Sequence, residues 1–371
     1  MKHAWKIARI AGIDIYVDSS WFVIFILFTW ILSTSYFPHQ HSGWRGHQYW
    51  TIGLLTSLLI FISVLIHELA HSVVAKAQGE EVRRITLFIL GGVAQITEEP
   101  KQPLQEFVMA VVGPLTSLGL SAAFFLASMI LLGLNEFIGA SLSYLALINL
   151  ILAVFNLLPG FPMDGGRVLR SLIWKATGNL KKSTSIASKV GQGFAFLLIF
   201  LGIVQILRAN LGGLWLVFIG WFLHSSAVRG YQQLTVDTVL RGVRARELMR
   251  EDFERVSGNL LVQELVDDYI LHRRERVFLV SDNGHLQGIV CLEDVKATPR
   301  DRWSSTTVRE IMTPKEKLLA VSPDDDGNTV LKSLTSRDVH QVPVMEGGQV
   351  AGVVCRSDIL RYIQLRSELG I

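Results

Sequence analysis

Two histidines and a glutamate occur at a spacing that suits metal-assisted hydrolysis. They are His67, Glu68 and His71, in the sequence His-Glu-Leu-Ala-His. On a helix, residues i and i+4 lie on one face, so both imidazoles can bind a single metal ion. Glu68 projects about 100° away from His67 and can reach a water molecule at that ion as a general base. The pattern therefore predicts two zinc ligands and one proton acceptor.

These three residues lie in a strongly apolar stretch, where polar groups are costly. Residues 51–75 contain no charged side chain before Glu68. A charge at the centre of a membrane helix costs roughly 2.5–3.5 kcal/mol on insertion scales, so such residues need a partner. A metal ion is the obvious partner. The alternative is a polar helix face that packs against another helix, but such a face does not need two imidazoles and a carboxylate at this spacing.

A catalytic zinc site needs a third protein ligand, and the residues beside the histidines do not supply one. The best candidate is Asp164 in the segment 156–167, which contains two prolines and three glycines. Irregular backbone at membrane depth is tolerated where it is buried in protein or faces a water-filled cavity, so Asp164 can turn toward the metal. A loop carboxylate or a helix cap is the alternative reading of Asp164.

Asn156 begins the same segment and can take part in catalysis. Its amide can donate hydrogen bonds to the substrate backbone or to a developing oxyanion. The alternative is an interhelical hydrogen bond within the membrane bundle. The residue types leave both roles open.

The composition indicates a membrane protein with a soluble appendage. The chain has 371 residues, of which 50% are hydrophobic and only 18% are charged. Nearly all long apolar runs fall in residues 1–230, whereas residues 231–371 have an ordinary soluble mixture. The net charge of +3 is too small to indicate a nucleic-acid partner. The two cysteines do not form a disulfide framework.

Six apolar stretches are predicted to cross the bilayer, although the fifth is short. They are residues 19–37, 51–75, 107–132, 140–158, 193–207 and 212–228. Lysine and arginine concentrate before the first stretch and after the second and fourth, which predicts that these segments are cytoplasmic. An even number of spans then places both ends of the chain in the cytoplasm. We expect a multi-pass protein of the plasma membrane, in contact with lipid, whose candidate site lies toward the cytoplasmic side.

The two motifs together resemble the site-2 protease family of intramembrane zinc metalloproteases. The resemblance covers residues 1–230 and rests on HELAH at 67–71 and NLLPGFPMDGG at 156–166, which matches the pattern N-x-x-P-x-x-P-x-D-G. It implies cleavage of a single-span or otherwise membrane-tethered protein, with one zinc ion per chain. It also implies a role for each candidate residue: zinc ligands His67, His71 and Asp164, catalytic base Glu68, and substrate contact Asn156.

Residues 82–96 are predicted to form a β-hairpin. Two β-prone runs lie on either side of Gly91 and Gly92. An exposed hairpin edge can pair with an extended substrate by strand addition, and the family resemblance implies a membrane-associated strand region near the site. A hairpin with only a packing role is the alternative.

The C-terminal part contains an internal repeat. The sequence 246–249 recurs as 309–312, and the sequence 288–294 recurs as 352–358. Each repeat is predicted to form a strand, a helix, two strands and a helix. The pattern resembles a tandem pair of CBS domains, here residues 243–300 and 301–371, and the resemblance implies face-to-face association into a homodimer.

The same resemblance implies an adenine nucleotide between the two repeats, with ribose contacts from Asp294 and Asp358. Cys291 and Cys355 stand where CBS motifs usually carry threonine or serine, so a hydroxyl contact to phosphate is lost. A purely structural or dimerising pair is therefore the alternative. Both aspartates are also suitable N-caps for the final helix of each repeat.

The sequence thus predicts an α-helical polytopic membrane domain of about six spans, followed by a C-terminal α/β tandem CBS domain. The function that it favours is an intramembrane zinc endopeptidase regulated by the CBS pair. The alternative is a CBS-regulated membrane transporter or channel. The intramembrane polar residues favour the peptidase, because they cluster at one site and do not line a path of ionisable groups.

Overall fold

The computed structural model describes residues 4–369, apart from residues 90, 97–99, 132, 134, 253, 274, 283, 284, 337, 338, 340 and 348. Residue 90 of the predicted hairpin and residue 132 of the third predicted span therefore lie outside the described residues. The chain divides into two compact units, Met1–Gln232 and Gln233–Ile371.

Five helices among the described residues are long and apolar enough to cross a membrane. The first, Ser19–Gln40, consists of α1 (Ser19–Ile31), a π-helical turn (Leu32–Tyr36) and α2 (Phe37–Gln40). The others are α3 (Gly46–Ala77), α4 (Pro103–Leu131), α5 (Glu136–Asn156) and α7 (Leu180–Leu207). The sixth predicted span lies, apart from its first residue, within α8 (Gly213–Leu240), which is not among these five. The helical character of the membrane domain is confirmed.

The fifth predicted span is not short, because α7 has 28 residues and begins at Leu180. Asn179 caps its start, accepting a hydrogen bond of 2.9 Å from the backbone N–H of Lys182. The first turns contain lysines and small polar residues. These residues lower the local hydropathy without preventing helix formation. The length of the apolar stretch therefore underestimates the length of the helix.

Helix α3 packs against α1, α4 and α5, and α4 also packs against α6 (Asp164–Thr177). Buried polar contacts join α3 to α5: the hydroxyls of Thr56 and Ser141 are 2.7 Å apart, and Asn149 Nδ2 donates to Ser63 Oγ at 3.2 Å. Such contacts are a usual means of helix association in membranes. They join α3 to α5 within the bundle.

A four-stranded sheet accompanies the membrane helices. Its strands are β1 (Ala4–Ile10), β2 (Ile13–Asp18), β3 (Val82–Phe88) and β4 (Gly91–Ile96), in the order β1-β2-β3-β4. The antiparallel pairing of β3 with β4 confirms the predicted hairpin. Gly91 and Gly92 do not form its turn but are the first residues of β4, paired with Phe88 and Leu87. Strand β4 is therefore an edge of the described sheet.

The C-terminal unit is α/β, as predicted. One sheet has the order β5-β6-β7-β8 and a second pairs β10 with β9. The strands are β5 (Arg255–Val256), β6 (Val277–Asp282), β7 (His285–Cys291), β8 (Thr313–Pro314), β9 (Gln341–Glu346) and β10 (Gln349–Cys355). The helices are α9 (Ala245–Leu248), α10 (Val262–Glu264), α11 (Leu292–Ala297), α12 (Val308–Ile311), α13 (Gly327–Ser336) and α14 (Arg356–Leu369).

The two CBS repeats exchange their first helices. Leu248 of α9 is buried in the core of the second repeat with Val342 and Val354. Val308 of α12 is buried in the core of the first repeat with Phe278. Each core is completed by a helix that precedes or follows it in the chain, so the repeats form one folding unit.

Candidate metal centre

Three side chains converge at one buried point in the membrane unit. The Nε2 atoms of His67 and His71 are 3.2 Å apart, and each is 3.2 Å from Asp164 Oδ2. The histidines are 3% and 6% exposed. The helix geometry of α3 places the two rings on one face, and α6 begins with Asp164 at the same point. The structure thus brings together the three residues that the sequence selected as metal ligands.

The spacing of these three atoms suits zinc. Ligand atoms about 2.0–2.1 Å from a tetrahedral zinc ion lie about 3.3 Å from one another. His71 Nδ1 is 2.6 Å from the carbonyl oxygen of Met109. That contact assigns the proton of the neutral ring to Nδ1, which leaves a lone pair on Nε2 facing the carboxylate. With the ring neutral, two acceptors lie 3.2 Å apart, an arrangement that suits a shared cation, and imidazole with carboxylate suits zinc.

Helix α4 fixes the orientation of both histidine rings. Ser117 Oγ is 2.8 Å from His67 Nδ1, and the backbone carbonyl of Met109 holds His71 Nδ1. Such outer contacts set the tautomer and the direction of metal-binding histidines. Sequence reasoning missed both residues. Ser117 carries no motif signal, and Met109 acts through its backbone, which its residue type does not reveal.

Gly113 allows α4 to approach the histidines. A β-carbon at this position would contact His71 Nε2 and would lie 2.8 Å from His67 Nε2. Only a glycine leaves the space between the two rings and the helix free. No sequence signal distinguishes this glycine, among those of the membrane helices, as the one that faces the site.

Glu68 lies against the edge strand β4. A β-carbon on Gly92 would be 3.1 Å from the carboxyl carbon of Glu68, so the strand backbone runs directly past this side chain. Within the described residues, no hydrogen bond to the Glu68 carboxylate is found. Its oxygens are therefore available to water or substrate, as a general base requires.

The segment between α5 and α6 positions Asp164 through close backbone contacts. A β-carbon on Gly165 or Gly166 would collide with the backbone of Leu157 or Gly160. These glycines let the chain fold tightly before α6, which confirms the predicted break in the helix. Asn156, the last residue of α5, donates from Nδ2 to the carbonyl of Leu152 at 3.0 Å. Its amide is thus engaged with its own helix in this structure.

A buried ion pair joins α4 to α6 beside the site. Arg170 Nε donates to Glu106 Oε1 at 2.6 Å. Sequence reasoning missed this pair. The available signal was a charged residue near the start of an apolar span, but its partner lies more than 60 positions away and could not be identified from spacing.

The two CBS aspartates occupy corresponding positions with different surroundings. Asp294 Oδ2 accepts a hydrogen bond from the backbone N–H of Cys291 at 2.8 Å, and Asp358 Oδ2 accepts one from Cys355 at 3.3 Å. Each aspartate is therefore the third residue of its helix and not the N-cap. Its carboxylate reaches back to the backbone N–H of the N-cap residue, as in a capping box. Asp358 Oδ1 also accepts from Arg250 Nε at 2.9 Å.

A cavity of about 130 Å³ lies between the two repeats, beside the Arg250–Asp358 pair. Its polar lining comes from residues of both repeats: Arg250, Asp252, Glu275, Arg276, Cys355 and Ser357. Burial raises the pKa of the Cys355 thiol to about 12, so this group is neutral near pH 7. Asp294 does not line this cavity.

A buried centre of two histidines on a helix of membrane length, completed by a carboxylate at the start of α6, is typical of a membrane-embedded metallohydrolase. Sequence comparison identifies the family. Peptidase family M50 matches residues 55–139 and 132–200, and the CBS domain matches residues 245–299 and 308–365. The chain belongs to peptidase family M50, the site-2 protease family of zinc metalloproteases, and carries a tandem CBS pair.

Two relatives of full length, from an archaeon and a cyanobacterium, support this assignment. A zinc metalloprotease of Methanocaldococcus jannaschii is 30% identical over 378 residues, covering 100% of this chain and 99% of the relative. A provisionally named zinc metalloprotease of Synechocystis sp. is 34% identical over 98% of this chain and 96% of its own length. The solved site-2 protease from Methanocaldococcus jannaschii is 28% identical, with a TM-score of 0.42, over 61% of this chain and 94% of that chain.

Proposed function

We propose that this protein is an intramembrane zinc endopeptidase that hydrolyses a peptide bond in or near the transmembrane segment of a single-span or membrane-tethered protein. The observation that carries the proposal is the convergence of His67, His71 and Asp164 to within 3.2 Å, with Glu68 on the same helix. Zinc bound there would polarise the scissile carbonyl and lower the pKa of its water ligand to about 7.

Each residue of the site has one task in this reaction. The two histidines and Asp164 bind the metal, while Ser117 and Met109 hold the rings in the binding orientation. Glu68 accepts the proton of the attacking water and passes it to the leaving amine. Two neutral imidazoles, one carboxylate and Zn²⁺ sum to a single positive charge, which an ionised Glu68 offsets. This balance lowers the cost of placing the cluster within a membrane.

The β4 edge is the proposed docking strand for the substrate. A helical substrate must unwind before attack, because its backbone is otherwise shielded by its own hydrogen bonds. An unwound segment can pair with β4, whose Gly92 lies against Glu68. Strand pairing would then hold a substrate carbonyl beside the catalytic base. Asn156 is proposed to contact the substrate, which requires its amide to leave the carbonyl of Leu152.

The membrane orientation follows from the distribution of basic residues. We infer a plasma-membrane location with the N-terminus and the CBS pair in the cytoplasm, which counts α8 as a sixth span beside the five helices of membrane length. The CBS resemblance also supports a homodimer formed through that pair. Topology labelling tests the orientation, and measurement of the mass of the protein in detergent tests the homodimer.

Zinc content provides the first test of the metal site. We expect about one zinc per wild-type chain in the detergent-purified protein, with His67→Ala and Asp164→Asn each binding zinc more weakly, because a three-ligand site loses a donor or its charge. Metal analysis after dialysis against a weak chelator measures this. Zinc content that is indifferent to both substitutions would refute the proposed function.

We further propose that an adenine nucleotide binds the CBS pair and regulates cleavage. The cavity beside Asp358 carries two guanidinium groups, Arg250 and Arg276, and the hydroxyl of Ser357, together with the carboxylates of Asp252 and Glu275. The guanidinium groups and the hydroxyl suit phosphate. In the other repeat, Glu293 corresponds to Ser357 and would repel an anion. Binding beside Asp358 requires Arg250 to exchange the carboxylate for phosphate, whereas Asp294 is proposed to contact ribose more weakly.

The two aspartates can be compared directly. We expect Asp358→Ala to weaken binding of AMP to the full-length protein at least tenfold, and Asp294→Ala to weaken it less than threefold, as order-of-magnitude estimates for loss of one hydrogen-bonded carboxylate. Titration calorimetry with AMP and ATP measures both. Equal losses, or a larger loss in Asp294→Ala, would contradict this asymmetry.

A further inference from the structure

Glu106 and Arg170 form a buried ion pair that the proposed hydrolysis does not use. Glu106 is 0% exposed and Arg170 is 4% exposed. Arg170 Nε donates to Glu106 Oε1 at 2.6 Å, and Arg170 Nη2 pairs with the same oxygen. Burying two charges is costly, and an apolar pair of similar volume often serves stability equally well. The pair therefore calls for an explanation beyond stability.

Glu106 shares one face of α4 with the groups that hold the histidines. Positions 106, 109, 113 and 117 recur at helical spacing. Met109 binds His71 through its carbonyl, Gly113 lies against both rings, and Ser117 contacts His67. This face of α4 therefore fixes the position of two of the three donor atoms.

Arg170 lies on the helix that supplies the third donor atom. Helix α6 begins at Asp164, and Arg170 is less than two turns further on. The guanidinium carbon of Arg170 is 5.5 Å from the ring centre of Phe161, in the segment that leads into α6. Arg167 of the same helix also approaches Glu106 Oε1, at 3.9 Å. Both α6 and the segment before it are thus tied to Glu106.

We propose that Glu106 and Arg170 are a positioning pair: their ion pair sets α6 on α4 and so places the Asp164 carboxylate against the two histidines. The inference rests on the proposed function, in which Asp164 is the third metal ligand. In this proposal the pair is not itself a metal ligand, and its effect on the metal passes through Asp164.

A charged pair suits this task better than apolar packing does. Membrane helices have little hydrophobic driving force for a unique arrangement, and apolar side chains permit sliding or rotation of one helix on another. A guanidinium that donates twice to a carboxylate fixes direction as well as distance. Loss of the charge at Glu106 should therefore loosen Asp164 even when the side-chain shape is kept.

Glu106→Gln in the full-length protein tests the proposal. We expect zinc affinity, measured by chelator competition, to fall about 10–100-fold, as for other groups that orient metal ligands. The visible spectrum of the Co²⁺-substituted protein should change as well, because the coordination geometry changes. Thr56→Val is the matched control, since it removes a buried hydrogen bond between α3 and α5 and should leave zinc affinity and the Co²⁺ spectrum unchanged. Wild-type affinity in Glu106→Gln, or an equal loss in Thr56→Val at a similar Tm, would overturn the proposal.

A double-mutant cycle separates positioning from general stability. In the Asp164→Asn background, Glu106→Gln should cause no further loss of zinc affinity, because the pair acts through that carboxylate. Independent, multiplying losses would overturn the proposal. If Glu106→Gln does not fold, Glu106→Asp keeps the charge and shortens the side chain, and wild-type affinity in that variant would overturn it too. An unchanged zinc affinity in the Asp164→Asn variant would instead refute the proposed function.

Discussion

Glu68→Gln is expected to abolish peptide cleavage while the protein keeps its zinc. The amide has the shape of the carboxylate but cannot accept a proton from the attacking water, and loss of general acid–base catalysis typically costs about 10²–10⁴-fold in rate. Glu68 is not a metal ligand in the proposed site, so zinc content should remain about one per chain. Cleavage is measured in liposomes, on a single-span reporter with Gly-Pro in its span to ease unwinding.

Glu136→Gln is the matched control for this experiment. Glu136 is a carboxylate at the start of α5, 2.9 Å from His41 Nδ1 and outside the metal centre. This variant should cleave the reporter at the wild-type rate. Cleavage by Glu68→Gln at the rate of Glu136→Gln would remove Glu68 from the mechanism, and loss of zinc in Glu68→Gln would give it a role in metal binding.

Gly113→Ala is expected to weaken zinc binding strongly by the addition of one methyl group. The new β-carbon would contact His71 Nε2 and lie 2.8 Å from His67 Nε2, the two nitrogens proposed to bind the metal. Either the methyl group covers these lone pairs or α4 moves away with Ser117 and Met109. We expect zinc affinity to fall at least about 100-fold, the upper end of the range seen when a group that orients a metal ligand is removed. Chelator competition measures the affinity, and cleavage should be lost in parallel.

Gly119→Ala provides a control on the same helix. A β-carbon at Gly119 meets nothing within 4 Å, so this variant adds the same methyl group to α4 without a contact. Zinc affinity and cleavage should match the wild type, and helix stability should rise slightly, because alanine is the better helix former. Normal zinc binding in Gly113→Ala would show that α4 does not approach the histidines as described.

The sequence by itself predicted the three side chains that the structure brings to one point. His67 and His71 lie at i and i+4, so local helix geometry alone brings them to one face. Asp164 was found because its glycine- and proline-rich surroundings exclude a continuous helix, and the structure shows that break. The apolar stretches predicted the membrane helices, and internal repetition predicted the α/β pair. All of these signals depend on neighbours within a few residues, or on comparison of one segment with another.

Only the tertiary structure decided how that site is held. Helix α4 supplies the carbonyl of Met109 and the hydroxyl of Ser117. It can approach the histidines because Gly113 has no side chain. The Glu106–Arg170 pair and the exchange of helices between the CBS repeats are further examples. Every residue type has a backbone carbonyl, so the sequence does not reveal which one holds a histidine. The sequence likewise does not reveal what a glycine packs against. An ion pair between distant positions follows no spacing rule. Their roles exist only once packing has brought the helices together.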